Sequence, residues 1–167
     1  LEAEFDLVIL RQIARDIELG KIPAGSGVSF NVSGMGVMDK AVQEKIHSLA
    51  AYIPRYKLII EVTETALITQ LQLASSILNT LRQKGFLIAL DDFGSGYSSL
   101  SYLSSMPVDC IKFDISLTRQ LLEGSRQSII IGSLATMALK AGYILIAEGV
   151  ETEEMLNKIN EIGFNYG

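Results

Sequence analysis

The stretch Phe86-Leu-Ile-Ala-Leu-Asp-Asp-Phe-Gly-Ser-Gly96 decides how the rest of the chain is read. Its first five residues are an apolar run of strand length, and two aspartates follow without a gap. Short apolar runs bounded by turn residues read as buried strands. Two acids after a buried strand need a cation or a reason to be exposed, because clustered carboxylates raise one another's pKa. Gly94 and Gly96 then permit backbone conformations and close approaches that a Cβ would block. The segment reads as a strand whose C-terminal end carries charge and opens into a glycine-rich turn, Gly94-Ser-Gly-Tyr-Ser-Ser99.

Further runs of the same kind lie on both sides: Gly27-Val-Ser-Phe-Asn-Val32, Lys57-Leu-Ile-Ile-Glu-Val62, Cys110-Ile-Lys-Phe113 and Tyr143-Ile-Leu-Ile-Ala147. Stretches of helical period separate them. The first covers Phe5 to Glu18, and the next starts at Asp39 as cap, runs to about Tyr52 and is stopped by Pro54. A third runs from about Ala66 to Lys84, with Gly85 as its terminator. Leu100 to Ser104 predicts a short helix, followed by helices from about Ser116 to Leu122 and Arg126 to Ala141. A last helix, Glu151 to Ile162, is opened by Thr152, and Gly163-Phe-Asn-Tyr-Gly167 reads as the lead-in to another strand.

Strands alternating with helices predict an α/β fold with a parallel sheet, either an open doubly wound sheet or a (β/α)8 barrel. The polar residues favour the barrel, whose functional groups come from the C-terminal ends of several strands. Asn31, Glu61, Asp91-Asp92, Lys112 and Glu148 each stand at such an end. Their spacing stays near the roughly 30 residues of a βα repeat. Five strands do not close an eight-stranded barrel, so the expectation is an incomplete TIM-like (β/α)8 barrel.

Composition limits the function classes. The chain has 167 residues, 49% hydrophobic and 20% charged, an ordinary globular balance. A net charge of −5 argues against wrapping a nucleic-acid polymer. No apolar stretch reaches the roughly 20 residues of a membrane span, so no membrane contact is expected from this segment. The only cysteine, Cys110, has no partner for a disulfide and reads as a small core hydrophobe. A reducing, cytoplasmic setting is expected. The chain opens on Leu1 without an initiator Met and ends abruptly, which reads as a piece of a longer protein. There is no linker or low-complexity segment, so no internal domain boundary is expected.

Oxygen-only ligands, with no Cys or His in the set, favour hard ions such as Mg²⁺ or Mn²⁺. Adjacent aspartates at a strand end suit two metals, one of them bridging, provided the turn relaxes the alternation of side chains. A two-metal clamp suits in-line attack on a phosphodiester. A lysine among such groups can position or deprotonate water. Blander roles compete. Asn31 fits a strand-end turn residue, and Glu61 and Glu64 fit exposed helix-capping acids with Thr63 as cap. Lys112 can pair structurally with Asp114, and Glu148 can bind backbone in a glycine turn. His47 reads as a surface residue. Leu100, Tyr102, Leu103 and Met106 read as core with a contribution to a dimer surface.

Five motifs in order resemble one family. Asp91-Asp-Phe-Gly-Ser-Gly-Tyr-Ser-Ser-Leu100 is similar to the DDFG-x-G-x-SSL signature of EAL domains, and Asn31-Val-Ser33 and Glu61-Val-Thr-Glu64 resemble their N-x-S and E-x-T-E. Pro107-Val-Asp-Cys-Ile-Lys-Phe-Asp114 resembles P-x-D-x-x-K-x-D, and Ala147-Glu-Gly-Val-Glu-Thr152 matches AEGVET. The resemblance implies a barrel that hydrolyses cyclic di-GMP to linear pGpG with two Mg²⁺ or Mn²⁺ ions. It implies Asn31, Glu61 and Asp91 at the first metal and Asp91 and Asp92 at the second. Glu148 would assist through a water or act as a base, and Lys112 would hold or activate the attacking water. Glu64 would anchor the Asp92–Ser99 loop, in which Phe93, Gly94, Ser95 and Gly96 would serve loop and substrate. It also implies a homodimer and flanking GGDEF or sensory domains. A receptor that binds cyclic di-GMP without turnover is the alternative.

Three departures accompany the match. The Glu-Ala-Leu strand that names the family is not within the chain, since Leu1-Glu-Ala3 leads directly into a helix. That strand would bring a further metal-binding glutamate and a substrate-binding arginine. The glutamine-glycine strand expected after Gly167 is also outside the sequence, and Leu117 stands where a Phe is commoner. Weak or no hydrolysis is therefore expected from these residues alone.

Overall fold

Strand and helix alternate along the chain in the computed structural model, which describes residues 1–69, 71–94 and 106–167. Two compact units account for it, Leu1–Ile88 and Ala89–Gly167.

In the first unit, α1 (Glu2–Glu18) leads to β1 (Gly27–Asn31). Two helices follow, α2 (Gly34–Met38) and α3 (Lys40–Leu49), then a 3-10 turn over Ala50–Tyr52. β2 (Lys57–Thr63), α4 (Glu64–Thr69) and α5 (Leu71–Gln83) complete it. β1 and β2 are parallel, with Phe30 opposite Ile60 and Asn31 opposite Glu61. Leu58, Ile60 and Val62 are buried and alternate with half-buried neighbours, so β2 has one apolar face and one mixed face. Leu10, Ile46, Leu49 and Leu78 of the helices are buried as well. Each such side chain contributes about 1.5–3 kcal/mol on leaving water.

In the second unit, β3 (Leu87–Phe93), which begins at the end of the first, pairs in parallel with β4 (Cys110–Phe113), and β4 with β5 (Ile144–Ala147). Helices α6 (Ile115–Leu122) and α7 (Arg126–Lys140) connect β4 to β5, and α8 (Glu153–Ile162) follows. Phe113 is fully buried, 5.5 Å from the Phe93 ring and 5.1 Å edge-on from that of Phe164. Aromatic pairs of this kind add about 0.5–1.5 kcal/mol beyond area burial. After α8, the backbone of Asn165 and Tyr166 bonds to Leu145 and Ala147, and Tyr166 bridges Ile146 in parallel. The expected lead-in to another strand is therefore present.

Most helix signals work as expected. Asp39 accepts from Val42 N at 3.0 Å, Thr152 from Met155 N at 3.2 Å, and Gly85 ends α5 at φ 98°. Four expectations change. The first helix begins at Glu2, not Phe5. The stretch expected as one helix from Ala66 begins at Glu64 and is described as α4 and α5, with residue 70 outside the described residues. The short helix α2 was hidden by its glycines, although Ser33 caps it. His47 is half-buried, not a surface residue; burial, with the nearby Lys84 charge, pulls its imidazole below the usual range. The short helix expected over 100–104 lies outside the described residues, as do Leu100, Tyr102 and Leu103. Met106 is buried, and so is Cys110, as expected of a core hydrophobe.

Candidate active site

The predicted polar residues fall into two groups, one in each unit. In the first unit, Asn31 and Glu61 are register partners at the C-terminal ends of β1 and β2. Paired residues of neighbouring strands project to the same face, and this face is opposite the buried pair Phe30 and Ile60. The strand ends are tied together by Val32 N, which donates to Glu61 O at 2.9 Å. Glu64 begins α4 and is only 2% exposed. That overturns its reading as an exposed capping acid, because an exposed cap would keep its carboxylate in water.

In the second unit, Asp91, Asp92, Lys112 and Glu148 come together. Strand β3 carries an irregularity: Leu90 pairs with Ile111 and Phe93 with Phe113. Asp91 and Asp92 thus stand against the single residue Lys112, the two-against-one arrangement of a β-bulge. Asp92 has φ 53°, the only non-glycine positive φ among the described residues. Aspartate tolerates this left-handed region better than most residues. The relaxation of alternation expected of the two adjacent aspartates is therefore built into the backbone.

Phe93 and Phe113 directly follow Asp92 and Lys112, and both rings are in the core. Phe93, expected to serve loop and substrate, here contributes its ring to core packing. Asp114 N bonds to Phe93 O at 3.2 Å and Glu148 N to Phe113 O at 3.0 Å, so backbone bonds continue past the polar residues. Gly94 has φ 97°, and a Cβ there would lie 2.7 Å from Leu117 Cδ2. Ser95 and Gly96 lie outside the described residues.

Lys112 Nζ lies 2.7 Å from Asp91 Oδ1 and 2.8 Å from Glu148 Oε1. These side chains are 15%, 13% and 29% exposed, so their charges are only partly screened by water. Asp114, the alternative partner for Lys112, is engaged otherwise. Its Oδ1 accepts from Ser116 N at 2.7 Å and from the Ser116 hydroxyl, capping α6. The hydroxyl bond, followed by backbone bonds, holds the Asp114 carboxyl below the usual carboxylate range.

The donor set fits a hard divalent cation. Asp91, Asp92 and Glu148 each offer a carboxylate oxygen, all within 4.8 Å of one another. Asp91 Oδ1 is buried and makes no hydrogen bond of proper geometry, although the Lys112 ammonium faces it. The Asp92 carboxyl is pushed upward by burial first, then by the charges of Asp91, Glu148 and Asp114, with Lys112 opposing. Lys112 pairs with two of the three crowded carboxylates, Asp91 and Glu148, and a bound cation would relieve the remaining repulsion.

The sequence profile of the EAL domain matches residues 1–167. The chain belongs to the EAL-domain family. A probable cyclic di-GMP phosphodiesterase of Escherichia coli, PdeG, is 33% identical over 157 residues, which is 92% of this chain and 31% of PdeG. Among solved structures, the PaMucR phosphodiesterase in complex with c-di-GMP is 26% identical, with a TM-score of 0.83 over 98% of this chain and 72% of that one. Klebsiella pneumoniae BlrP1, in a complex with manganese and cyclic di-GMP, is 31% identical, with a TM-score of 0.80 over 98% of this chain and 42% of that one. The chain spans between 19% and 31% of the length of the first curated relatives it matches. Its α/β architecture of parallel strands and intervening helices is that of these EAL structures, which are TIM-barrel-like. Among the described residues no helix is long and apolar enough to cross a membrane.

Proposed function

We propose that this EAL domain is the catalytic domain of a cyclic-di-GMP phosphodiesterase that produces linear pGpG. The observation that carries the proposal is Lys112, held between Asp91 and Glu148, which form a cluster of three carboxylates with Asp92. The substrate class rests on the relatives' names, which pair the family with cyclic di-GMP.

In this reading Asn31, Glu61 and Asp91 would hold a first Mg²⁺ or Mn²⁺, and Asp91 and Asp92 would hold a second. Such ions, when bound, stabilise charge on the phosphodiester and lower the pKa of the attacking water. The protein's own groups orient and deprotonate that water. Lys112 donates a hydrogen bond to it and sets its line of approach, and Glu148, directly or through another water, takes a proton. The water oxygen forms a bond to phosphorus while the bond from phosphorus to the 3′ oxygen breaks. The released 3′ hydroxyl takes up a proton, leaving a 5′ phosphate on the linear dinucleotide.

Glu64 is proposed to anchor the loop that follows Asp92. Its burial at the start of α4 supports a structural duty of this kind. Residues 1–167 are proposed to form part of the domain, with the family's Glu-Ala-Leu strand supplying a further metal ligand in the full-length parent. A homodimer, flanking GGDEF or sensory domains and a cytoplasmic setting belong to the same proposal.

The test is conversion of cyclic di-GMP to pGpG by the full-length parent with Mg²⁺ or Mn²⁺, set against its Asp91→Ala variant. Metal-dependent turnover that the variant loses is expected. Binding without turnover would instead identify a receptor.

A further inference from the structure

A second buried acid lies in the first unit, outside the residues assigned above. Asp6, on α1, is only 6% exposed. Burying a carboxylate is costly unless hydrogen bonds satisfy it. Among the described residues, its carboxylate accepts from one residue: Ser33 N donates to Asp6 Oδ2 at 3.1 Å, and Ser33 Oγ donates to the same oxygen at 2.7 Å. Ser33 Oγ in turn accepts from Gly36 N at 2.9 Å and so caps α2.

These bonds fix the chain where it leaves β1. Two consecutive amides beyond Asn31 are tied down, Val32 N to Glu61 O of β2 and Ser33 N to Asp6 of α1. Asn31 is thus followed by a clamp that bonds to two different elements. The clamp is also tightly packed. A Cβ added at Gly36 would lie 1.9 Å from Asp6 Oδ2, so the glycine is what allows the carboxylate its place.

We propose that Asp6 is a positioning residue for Asn31. Through Ser33 it sets where β1 ends and α2 begins, and thereby the direction in which Asn31 presents its amide oxygen to a divalent cation. The proposal rests on the phosphodiesterase reading, in which Asn31 is a metal ligand. A carboxylate that only docked α1 against α2 would affect stability and leave metal affinity alone. Partners that orient metal ligands commonly change affinity by about 10–100-fold when removed.

The experiment uses the full-length parent and two readouts, Mn²⁺ affinity by titration and the Mn²⁺ dependence of cyclic-di-GMP turnover. Asp6→Ala is expected to weaken Mn²⁺ binding by about tenfold or more, the lower end of that range. Asp6→Asn is expected to restore most of the loss, because its amide oxygen can accept both Ser33 bonds without the charge. Gly36→Ala, which keeps the carboxylate but displaces it, is expected to mimic Asp6→Ala. If Asp6→Ala does not fold, Gly36→Ala and Ser33→Ala carry the comparison. Folded Asp6→Ala and Gly36→Ala proteins with wild-type Mn²⁺ affinity, on an active parent, would overturn the role of Asp6. A wild-type parent that neither binds Mn²⁺ nor turns over cyclic di-GMP would remove the underlying reading instead.

Discussion

Asp91 and Asp92 stand side by side in a bulge opposite the single residue Lys112, with Asp92 turned to φ 53°. Adjacent residues of a regular strand point to opposite faces. The bulge removes that constraint where two neighbouring carboxylates are wanted in one cluster. The cost is a left-handed aspartate and a crowd of like charges, with Lys112 as the counter-ion nearest Asp91 and Glu148.

Asp92→Asn is expected to stabilise the metal-free protein at neutral pH while abolishing its share of metal binding. The Asp92 carboxyl lies above its ordinary value in the folded state, chiefly through burial and then through Asp91 and Glu148. A raised acid binds protons more readily folded than unfolded, so its ionised form opposes folding at pH above its folded value. Thermal melts of the metal-free variant and wild type check this. The difference should shrink as pH falls through the raised value, and an unchanged melting temperature at neutral pH would contradict the crowding.

Lys112→Ala is expected to lower turnover by at least about 10²-fold, the scale on which a misplaced reacting group slows a reaction. Substrate affinity should fall far less, because the ammonium is assigned to water and not to the nucleotide. Steady-state kinetics together with cyclic-di-GMP binding in Ca²⁺ separates the two effects. Comparable losses in both would argue against the water-directed role.

Asp114→Ala should cost about 1 kcal/mol at neutral pH through loss of the cap on α6. The Asp114 carboxyl is held low by the Ser116 hydroxyl and by backbone amides. Its contribution is therefore complete above the ordinary carboxylate value of 3.8 and is lost as pH falls through the lowered one. Urea unfolding of both proteins at neutral and acid pH should show the stability gap closing in acid. A gap independent of pH would mean the ionised cap is not its source.

Gly149→Ala tests the turn after β5. Gly149 has φ 72°, and a Cβ would lie 2.9 Å from Ile115 Cγ2 at the start of α6. Gly142 has φ 92° with nothing within 4 Å, so Gly142→Ala isolates the backbone strain alone. That strain is about 1–2 kcal/mol for an L-residue. Urea unfolding should place Gly149→Ala below Gly142→Ala, the difference being the contact with Ile115. Equal losses would show that Ile115 yields without penalty.

Much of this was legible in the residues. Apolar runs located each strand among the described residues, because burial demands them, and Asp39, Thr152 and Gly85 marked helix ends by local chemistry. The gathering of Asp91, Asp92, Lys112 and Glu148 was legible because parallel strands bring their C-terminal ends to one edge. The partner of Lys112 was not legible: alternation along one strand suggested Asp114, whereas cross-strand geometry supplies Asp91 and Glu148. Asp6 was missed for a similar reason. Its partner Ser33 is 27 residues away, and no local pattern marks an acid in an amphipathic helix as buried. The burial of Glu64 was likewise a tertiary outcome, since a Glu after Thr63 reads locally as a solvated cap.

The Asp91, Asp92, Lys112 and Glu148 cluster is proposed to perform metal-dependent hydrolysis of cyclic di-GMP. The most direct measurement is conversion of cyclic di-GMP to pGpG by the full-length parent with Mn²⁺, with chelator, and as Asp91→Ala. Turnover with Mn²⁺ that disappears both with chelator and in the variant is predicted. Turnover that persists in Asp91→Ala, or a parent that neither binds nor hydrolyses cyclic di-GMP with Mn²⁺ present, would contradict the account.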